Sequence, residues 1–346
     1  MNRNQGIDLL RGAAVALVML RHAFPEVFPG AGVVGVVMFF ALSGHLITGL
    51  LLDELERDGR LRLRRFALNR ALRLVPALVA MVAVLAIVTL VFDPLSDRDE
   101  LGRTLAVALS WTANLPFAHG SDAIFHLWTL ALEEQFHLLW PVVLLVVWRR
   151  SRVGVGLVLI GVAAVALCIA SLAWAGPHPD LVYTFPTSWV LCFVIGAASR
   201  VLRDRMRVPR AVAIGACVVL PILAVVPLRG HMTTYLVAAP AIAALTALAI
   251  LVAWREWSIV PIGARPLVAL GTVSYAAYLW NYPITLWLKG TTPGAEIIAL
   301  ALTLLAAGLS WRLSERPIGR LARRSRASRR EKEREQREHR EAEVVA

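Results

Sequence analysis

The sequence predicts an all-α fold, a polytopic membrane protein of ten transmembrane helices with both termini on the cytoplasmic side. The chain is 58% hydrophobic and only 17% charged, with a mean hydropathy of +0.65, which is too apolar for a water-soluble protein of 346 residues. It contains ten apolar runs that are long enough to cross a bilayer. Of its 36 lysines and arginines, 31 fall in the segments that such a topology places in the cytoplasm and four in the opposite loops.

The apolar runs each hold roughly 20 residues, the length that a membrane-spanning helix needs. In chain order they lie at 10–28, 33–52, 74–92, 126–148, 153–175, 183–200, 211–228, 233–253, 267–288 and 295–313. We interpret the first as a retained span and not as a signal peptide, because Arg21 and His22 interrupt it and no small-residue cleavage site follows. The longest outer connection, 93–125, contains an amphipathic piece that we expect to lie in the interface or to dip in from outside.

We expect residues 1–318 to form the transmembrane domain and residues 319–346 a charged cytoplasmic tail, either disordered or a solvated helix near anionic lipid.

The net charge of +12 is explained by topology, so membrane lipid is the expected partner and nucleic acid is not. The three cysteines have no paired spacing, and neither a disulfide nor a metal site is expected. Only two of the 36 basic residues are lysine, a bias common in high-GC genomes. We expect a bacterial protein of the inner (cytoplasmic) membrane.

His22 is the sharpest candidate for chemistry, because an ionisable group inside a span is costly to insert. It follows Arg11 by 11 residues, which places both side chains on one helix face about 16 Å apart. Asp8 precedes Arg11 by three residues and can pair with it. A neutral imidazole is a natural general base, although a histidine hydrogen-bonded between helices for packing fits the same position.

The fourth run carries the adjacent carboxylates Glu133 and Glu134. They point about 100° apart on a helix, so only one readily faces a given interior, unless both are solvated near the outer interface. In the second run, Ser43 and Gly44 permit a close helix approach. Arg70 and Arg73, at i and i+3 before the third run, could bind phosphate together or simply set topology.

Several motifs in the expected order resemble the acyltransferase 3 family of integral-membrane acyltransferases, over the chain up to about Ile318. Asp8-Leu9-Leu10-Arg11-Gly12 with His22 resembles the opening signature, and Phe39 to Gly44 fits the FFxxSG element. Arg70-Ala71-Leu72-Arg73 fits RxxR, and Trp128 to Pro141 resembles WSLSxEEQFxLxWP. Ser274 to Trp280 and Glu315-Arg316-Pro317 resemble the closing motifs.

The resemblance implies an O-acyltransferase that moves an acyl group, in the first place acetyl, from a cytoplasmic acyl-CoA to a hydroxyl of a surface or exported carbohydrate. It implies no bound cofactor, since the acyl-CoA, expected to be acetyl-CoA, is a substrate. His22 matches the catalytic base, and Arg11, Arg70 and Arg73 match donor-associated arginines. Glu133 matches the glutamate three residues before Phe136, and we expect it to orient or charge His22. The supporting residues are expected to be Asp8, Ser43, Glu134, Thr129 and Asn281.

Three positions depart from the family pattern and leave the acceptor open. Thr129 and Ala131 replace the serines of the fourth-run motif, Asn281 stands where many relatives have histidine, and Trp189 stands where an arginine often begins the sixth span. Trp189 would favour a flatter or more apolar acceptor. Because the sequence ends without the extracellular hydrolase-like domain that some members append, we expect selectivity to lie in the spans and outer loops.

Two other functions fit the sequence. One is an acyltransferase that acts on a macrolide-like metabolite. The other is a transporter or a flippase of a lipid-linked sugar that uses His22 as a proton relay, although the ionisable residues cluster in two spans and do not follow symmetric halves.

Overall fold

The computed structural model describes residues 4–150, 152–257, 260–315 and 317, and within these ranges the chain is helical and has no strand. The α-helices in the described residues are α1 (Gln5–Ala23), α2 (Ala31–Asp58), α3 (Leu63–Val91), α4 (Leu101–Ser110), α5 (Leu127–Arg149), α6 (Val153–Ala175), α7 (Pro186–Leu202), α8 (Arg210–Leu223), α9 (Ala239–Glu256), α10 (Arg265–Thr272), α11 (Ser274–Leu288) and α12 (Ala295–Ser310). The predicted tail, 319–346, and Arg316 of the last motif lie outside the described residues.

Each predicted apolar run overlaps a helix, but local capping moves the bounds. Helix α1 begins at Gln5 because the Asn4 side chain accepts a hydrogen bond from the Ile7 N–H at 3.2 Å, and it ends at Ala23, just before Phe24 and Pro25. The run at 267–288 is not one helix but two, α10 and α11, separated at Val273. Hydropathy averages over such breaks, because it does not detect individual backbone hydrogen bonds.

Six helical segments in the described part of the chain are long and apolar enough to cross a membrane. They are Ala31–Asp58, Leu63–Val91, Leu127–Arg149, Val153–Ala175, Thr234–Glu256 and Ala295–Leu313. The outer helices α6 and α12 expose large apolar side chains such as Leu159 (64%) and Leu305 (69%), which lipid solvates better than water does. The chain is therefore a multi-pass membrane protein. The count of ten spans and their orientation stay predictions.

Helix α2 lies at the centre of the bundle. It packs against α1, α7 and α9, and it also contacts α5, so most of its length is buried. Val34, Phe40 and Leu51 on this helix are each at most 1% exposed. A polar side chain on α2, such as Ser43, therefore projects into the interior of the protein and not into lipid.

Two pairs of glycines allow helices to touch backbone to backbone. Where α1 crosses α10, a Cβ at Gly12 would lie 1.8 Å from the carbonyl oxygen of Leu267, and one at Gly271 would lie 1.8 Å from that of Asp8. Where α2 crosses α7, Cβ atoms at Gly44 and Gly196 would lie 2.1 Å and 2.0 Å from carbonyl oxygens of the facing helix. No side chain fits at these crossings, as in other membrane helix pairs with small residues at their interface.

We expect Gly44→Ala and Gly196→Ala each to lower stability, because the new methyl group must push α2 and α7 apart. Overpacking of this kind costs about 1–3 kcal/mol. Helix propensity alone acts in the opposite direction and would favour alanine by about 0.5–1 kcal/mol. The measurement is the thermal denaturation midpoint of the detergent-solubilised protein, followed by size-exclusion chromatography after heating.

The matched controls are Gly215→Ala on α8 and Gly308→Ala on α12, where an added Cβ would meet nothing within 4 Å. Both should be neutral or slightly stabilising. If all four variants melt alike, the close crossing of α2 and α7 does not contribute to stability in the way that we infer.

Candidate active site

Two cavities meet inside the bundle at a shared wall. The first, here called the arginine cavity, is lined by Arg11, Arg70 and Arg73 and has a volume of about 130 Å³. The second, called the histidine cavity, contains His22 and has a volume of about 650 Å³. Val36 of α2 and Tyr278 of α11 line both cavities. A small molecule in one cavity is therefore separated from a molecule in the other by the thickness of a side chain.

A buried ionic cluster forms one side of the arginine cavity. The Arg70 Nε of α3 donates to both carboxylate oxygens of Glu134 on α5, at 2.7 Å and 2.8 Å, and its Nη2 also contacts Glu134. The same Nη2 lies 3.3 Å from Glu133 Oε1. Ser43 of α2 donates its hydroxyl to that oxygen at 2.6 Å. The cluster thus ties three helices together and fixes both carboxylates.

His137 lies one turn after the two glutamates on α5 and lines the same cavity. Its ring nitrogens are 3.6 Å from Glu134 Oε1 and 3.9 Å from Glu133 Oε1, and its side chain is only 2% exposed. The imidazole is therefore packed against both carboxylates, behind the position of Arg70.

The other two arginines of this cavity differ from Arg70 in their surroundings. Arg73 is exposed, lies one turn after Arg70 on α3 and forms no ion pair with a described residue. Arg11 reaches the cavity from α1, with Asp8 buried one turn before it. Since Arg70 is already paired with two carboxylates, Arg73 is better able to bind an anion from outside.

In the histidine cavity, a chain of hydrogen bonds fixes the orientation of His22. The Thr303 hydroxyl donates to the Ala299 carbonyl at 2.7 Å, so it can accept from the Asn281 amide nitrogen 3.4 Å away. That arrangement turns the Asn281 Oδ1 toward His22 Nδ1, at 2.6 Å, where it accepts the ring N–H. The proton is then on Nδ1, and Nε2 carries the lone pair that a general base needs.

Aromatic rings enclose this imidazole. Tyr282 meets His22 edge to face, with ring centroids 4.8 Å apart, and the His126 and Tyr282 ring centroids are 5.2 Å apart. His126 donates its Nε2–H to the carbonyl of Leu279 at 3.1 Å, which holds that ring against α11. The histidine is thus placed in a largely apolar, sterically defined pocket.

Tyr278, in the shared wall, is held by Thr129 and by the backbone of His126. Its hydroxyl lies 2.5 Å from the Thr129 hydroxyl and 2.9 Å from the His126 carbonyl oxygen. Thr129 therefore keeps a polar function at the first of the two serine positions of the motif, whereas Ala131 is simply buried.

The structure brings most of the predicted site residues together, but it separates two of them. Arg11, Ser43, Arg70, Arg73, Thr129, Glu133 and Glu134 all line the arginine cavity. Within the described residues, no hydrogen bond or ion pair joins Glu133 to His22, and the residue that orients His22 is Asn281. The expected contact between Glu133 and His22 is not present, because the Glu133 carboxylate is held by Ser43 and Arg70.

Trp189 belongs to the core of the bundle. It is fully buried, and its indole N–H donates to the Tyr183 carbonyl at 2.6 Å. Its ring packs against Phe40 and Trp128, and it lines neither cavity. The preference for a flatter or more apolar acceptor that we expected from Trp189 therefore stays a prediction.

Several residues of the two cavities were not assigned a role from the sequence, among them Arg21, Trp111, His137 and Tyr278. Tyr278 and His137 lie inside recognised motifs, and Arg21 is a charge within an apolar run. The sequence could therefore have identified all three as candidate site residues. Trp111 follows α4 in a segment without a motif, and only the three-dimensional structure brings it to the cavity. Among the described residues, no group of three or more His, Cys, Asp and Glu side chains could hold a metal ion.

Comparison with known proteins adds independent information about this chain. An "Acyltransferase domain" family model matches residues 4–314. Among curated proteins, the chain is 27% identical to O-acetyltransferase OatA of Staphylococcus aureus (strain NCTC 8325 / PS 47), with 90% of this chain and 57% of that protein covered. It is 29% identical to peptidoglycan O-acetyltransferase OatA of Listeria monocytogenes, with 90% and 55% covered.

The chain thus spans a little over half the length of the curated relatives it matches. No solved structure matches it. The family model nevertheless covers almost all of the chain, including both cavities and the residues that line them. The chain therefore belongs to the acyltransferase 3 family of membrane acyltransferases.

Proposed function

We propose that this protein transfers an acetyl group from cytoplasmic acetyl-CoA to a hydroxyl group of a surface or exported carbohydrate. The observation that carries the proposal is the meeting of two unlike cavities at Tyr278. One offers cations for an anionic donor, and the other holds a histidine whose free nitrogen can act as a base. The name of the Listeria relative, a peptidoglycan O-acetyltransferase, supports a carbohydrate acceptor.

We place the protein in the bacterial inner membrane with ten spans and both termini in the cytoplasm. In addition to the six long segments, the spans would be α1, α7, α8 and the pair α10 and α11. Arg11 lies near the N-terminal end of α1, and Arg73 lies in the N-terminal half of α3. This topology places the arginine cavity on the cytoplasmic side, where acetyl-CoA is available, and His22 nearer to the outer side.

On the donor side, we assign Arg73 and Arg11 to the phosphate groups of acetyl-CoA. Guanidinium groups bind phosphate through several donors at once. Arg70 also belongs to the donor site, but its ion pairs with Glu133 and Glu134 make it the residue that shapes the cavity. The arginine cavity, at about 130 Å³, accommodates only the narrow thioester arm, so the nucleotide would stay at the cytoplasmic surface.

On the acceptor side, the acceptor hydroxyl donates its proton to His22 Nε2 as its oxygen attacks the thioester carbonyl. The new oxygen–carbon bond forms, the carbon–sulfur bond breaks, and the proton passes from His22 to the departing thiolate, which leaves as coenzyme A. The reacting oxygen and carbonyl carbon must approach to about 3–3.5 Å, which requires that both substrates reach Tyr278. Asn281 stabilises the productive tautomer by accepting the Nδ1 proton.

We expect His22→Ala to reduce acetyl transfer by about 10²–10⁴-fold, the usual contribution of a general base. The protein should still insert and bind the donor, because the arginine cavity is unchanged. The measurement is the transfer of labelled acetyl groups from acetyl-CoA to glycans by protein in nanodiscs, with mass spectrometry of glycans and metabolites from cells with and without the gene.

His119→Ala is the matched control, since His119 is exposed and lines neither cavity. It should transfer at the normal rate. Normal transfer by His22→Ala would remove His22 as the base. Movement of a lipid-linked sugar without a covalent change would instead identify a flippase. Acetylation of a metabolite and not of a glycan would show that the acceptor is a metabolite.

Arg70 and Arg73 of α3 should fail in different ways when substituted. Arg73→Ala should raise the KM for acetyl-CoA about tenfold or more with little change in stability, since Arg73 is exposed. Arg70→Ala leaves Glu133 and Glu134 without their counter-ion and should destabilise the protein by roughly 3–5 kcal/mol. Donor titrations and thermal denaturation in detergent measure the two effects.

Arg65→Ala serves as control for both variants, because Arg65 is an exposed arginine on the same helix that does not reach the cavity. It should leave both KM and stability unchanged. An unchanged KM in Arg73→Ala would exclude Arg73 from donor binding.

Asn281 should act as a positioning residue, and we expect Asn281→Leu to lower kcat about 10–100-fold while the KM for acetyl-CoA stays the same. Leucine cannot accept the Nδ1 proton, so the imidazole loses its fixed tautomer. Asn281→Asp retains an acceptor oxygen and should restore most of kcat. If leucine and aspartate reduce kcat equally at equal thermal stability, the hydrogen bond to His22 has no catalytic role.

A further inference from the structure

Arg21 is a cation of the histidine cavity for which the proposed mechanism has no use. It lies beside His22 in the last turn of α1, is only partly exposed, and lines the same cavity as His22. The α2 backbone accommodates its stem, since a Cβ at Gly32 would lie 3.0 Å from Arg21 Cγ. The side chain is therefore seated in the protein.

Among the residues that the structure describes, no counter-ion pairs with the Arg21 guanidinium. Within the described residues, Arg21 forms neither an ion pair nor a hydrogen bond through its side chain. Two carboxylates line the same cavity, Glu26 and Glu296, but both are exposed, and neither pairs with Arg21. A partly buried cation without a counter-ion is poorly compensated, which points to a bound ligand that supplies the anionic group.

The other cations of the cavity have different surroundings. Arg229 lies over the ring of Tyr183, 4.5 Å from its centroid, and its Nε is 3.4 Å from an oxygen of Asp180. Lys289 is exposed at the end of α11. Arg229 is thus already paired and Lys289 is exposed, whereas Arg21 lies beside the proposed base and has no ion pair within the described residues.

The walls of the cavity are suited to a ring-shaped ligand. Trp128 and Tyr183 pack together with ring centroids 5.0 Å apart, and Tyr282 stands against His22. Aromatic walls with a few placed polar groups are the usual composition of a small-molecule site. With a volume of about 650 Å³, the cavity can hold a sugar ring with a charged substituent.

From this arrangement we propose that the acceptor is an acidic carbohydrate, with its anionic group bound by Arg21 while a hydroxyl of the same molecule faces His22. This inference rests on the proposed function, because it assigns the histidine cavity to the acceptor. The anion could be the carboxylate of a sugar acid or the phosphate of a lipid-linked sugar, and both present oxygens that a guanidinium binds in bidentate form.

The test compares binding and transfer for three soluble probes: methyl β-D-glucuronide, its neutral methyl ester, and glucose 1-phosphate. Binding is measured by quenching of tryptophan fluorescence in nanodiscs of neutral lipid, and transfer is measured with labelled acetyl-CoA. We expect the wild-type protein to prefer at least one anionic probe to the neutral ester by roughly tenfold to a hundredfold, as for a hydrogen bond to a charged group. The anionic probe that binds more tightly shows whether the site prefers a carboxylate or a phosphate.

Arg21→Gln should abolish that preference and leave binding of the neutral ester unchanged, whereas Arg21→Lys should retain part of it. Arg103→Gln, a change at an exposed arginine that lies outside the cavity, is the control and should behave as wild type. His22→Ala should still prefer the anionic probe in the binding assay. This last result separates the two proposals, because it tests the anion site in a protein that cannot catalyse transfer.

Equal affinity of the wild-type protein for anionic and neutral probes would overturn the inference and leave the proposed transferase intact. A loss of transfer to every probe in Arg21→Gln, with unchanged binding, would also overturn it, because Arg21 would then act on the reaction itself. Anion-selective binding without any acetyl transfer would retain the anion site and refute the proposed function.

Discussion

The ion pairs between Arg70 and the two glutamates of α5 are the interaction on which the arginine cavity depends. Burying an isolated charge in an apolar bundle is costly, so Arg70, Glu133 and Glu134 compensate one another. Because Arg70 belongs to α3, its pairing fixes the position of that helix beside α5 and thereby the position of Arg73. The same contacts immobilise the Glu133 carboxylate, which Ser43 also binds.

The polar motif residues of α1 and α2 depend on the glycines that follow them. Arg11 precedes Gly12, and Ser43 precedes Gly44, and each glycine lies where its helix touches a neighbour backbone to backbone. A glycine at such a crossing fixes both the separation and the rotation of the helix, and so it determines the direction of the adjacent side chain. Each polar residue of these motifs is thus next to a glycine because the helix crossing at that glycine fixes the direction of the polar side chain.

The sequence was sufficient to predict the helices and the grouping of the donor-side residues, but not the environment of His22. An apolar run indicates a helix that lies in lipid, and the i,i+3 spacing of Arg70 and Arg73 indicates that both lie on one helix face. Both features depend on residues that are close in sequence. The bond between His22 and Asn281 joins residues 259 positions apart, and no local pattern contains it. Family position favoured Glu133 as the partner of His22, yet the folded chain directs that carboxylate to Ser43. Trp189 likewise drew attention through its family position, where arginine is frequent, and that position does not tell whether a side chain lies in the core or in a cavity.

The two cavities differ in how their charged groups are arranged. In the transfer that we propose, the donor is a polyanion and needs fixed charge, and a cluster of paired groups can present one additional cation at little cost. The base beside the acceptor must instead be neutral, and a hydrogen-bond chain of Asn281, Thr303 and a backbone carbonyl orients it without introducing a carboxylate. A wall made of Tyr278 and Val36 keeps the two environments distinct. In the transfer that we propose, only the acetyl group has to pass that wall, in which Tyr278 is anchored by Thr129 and by the His126 carbonyl.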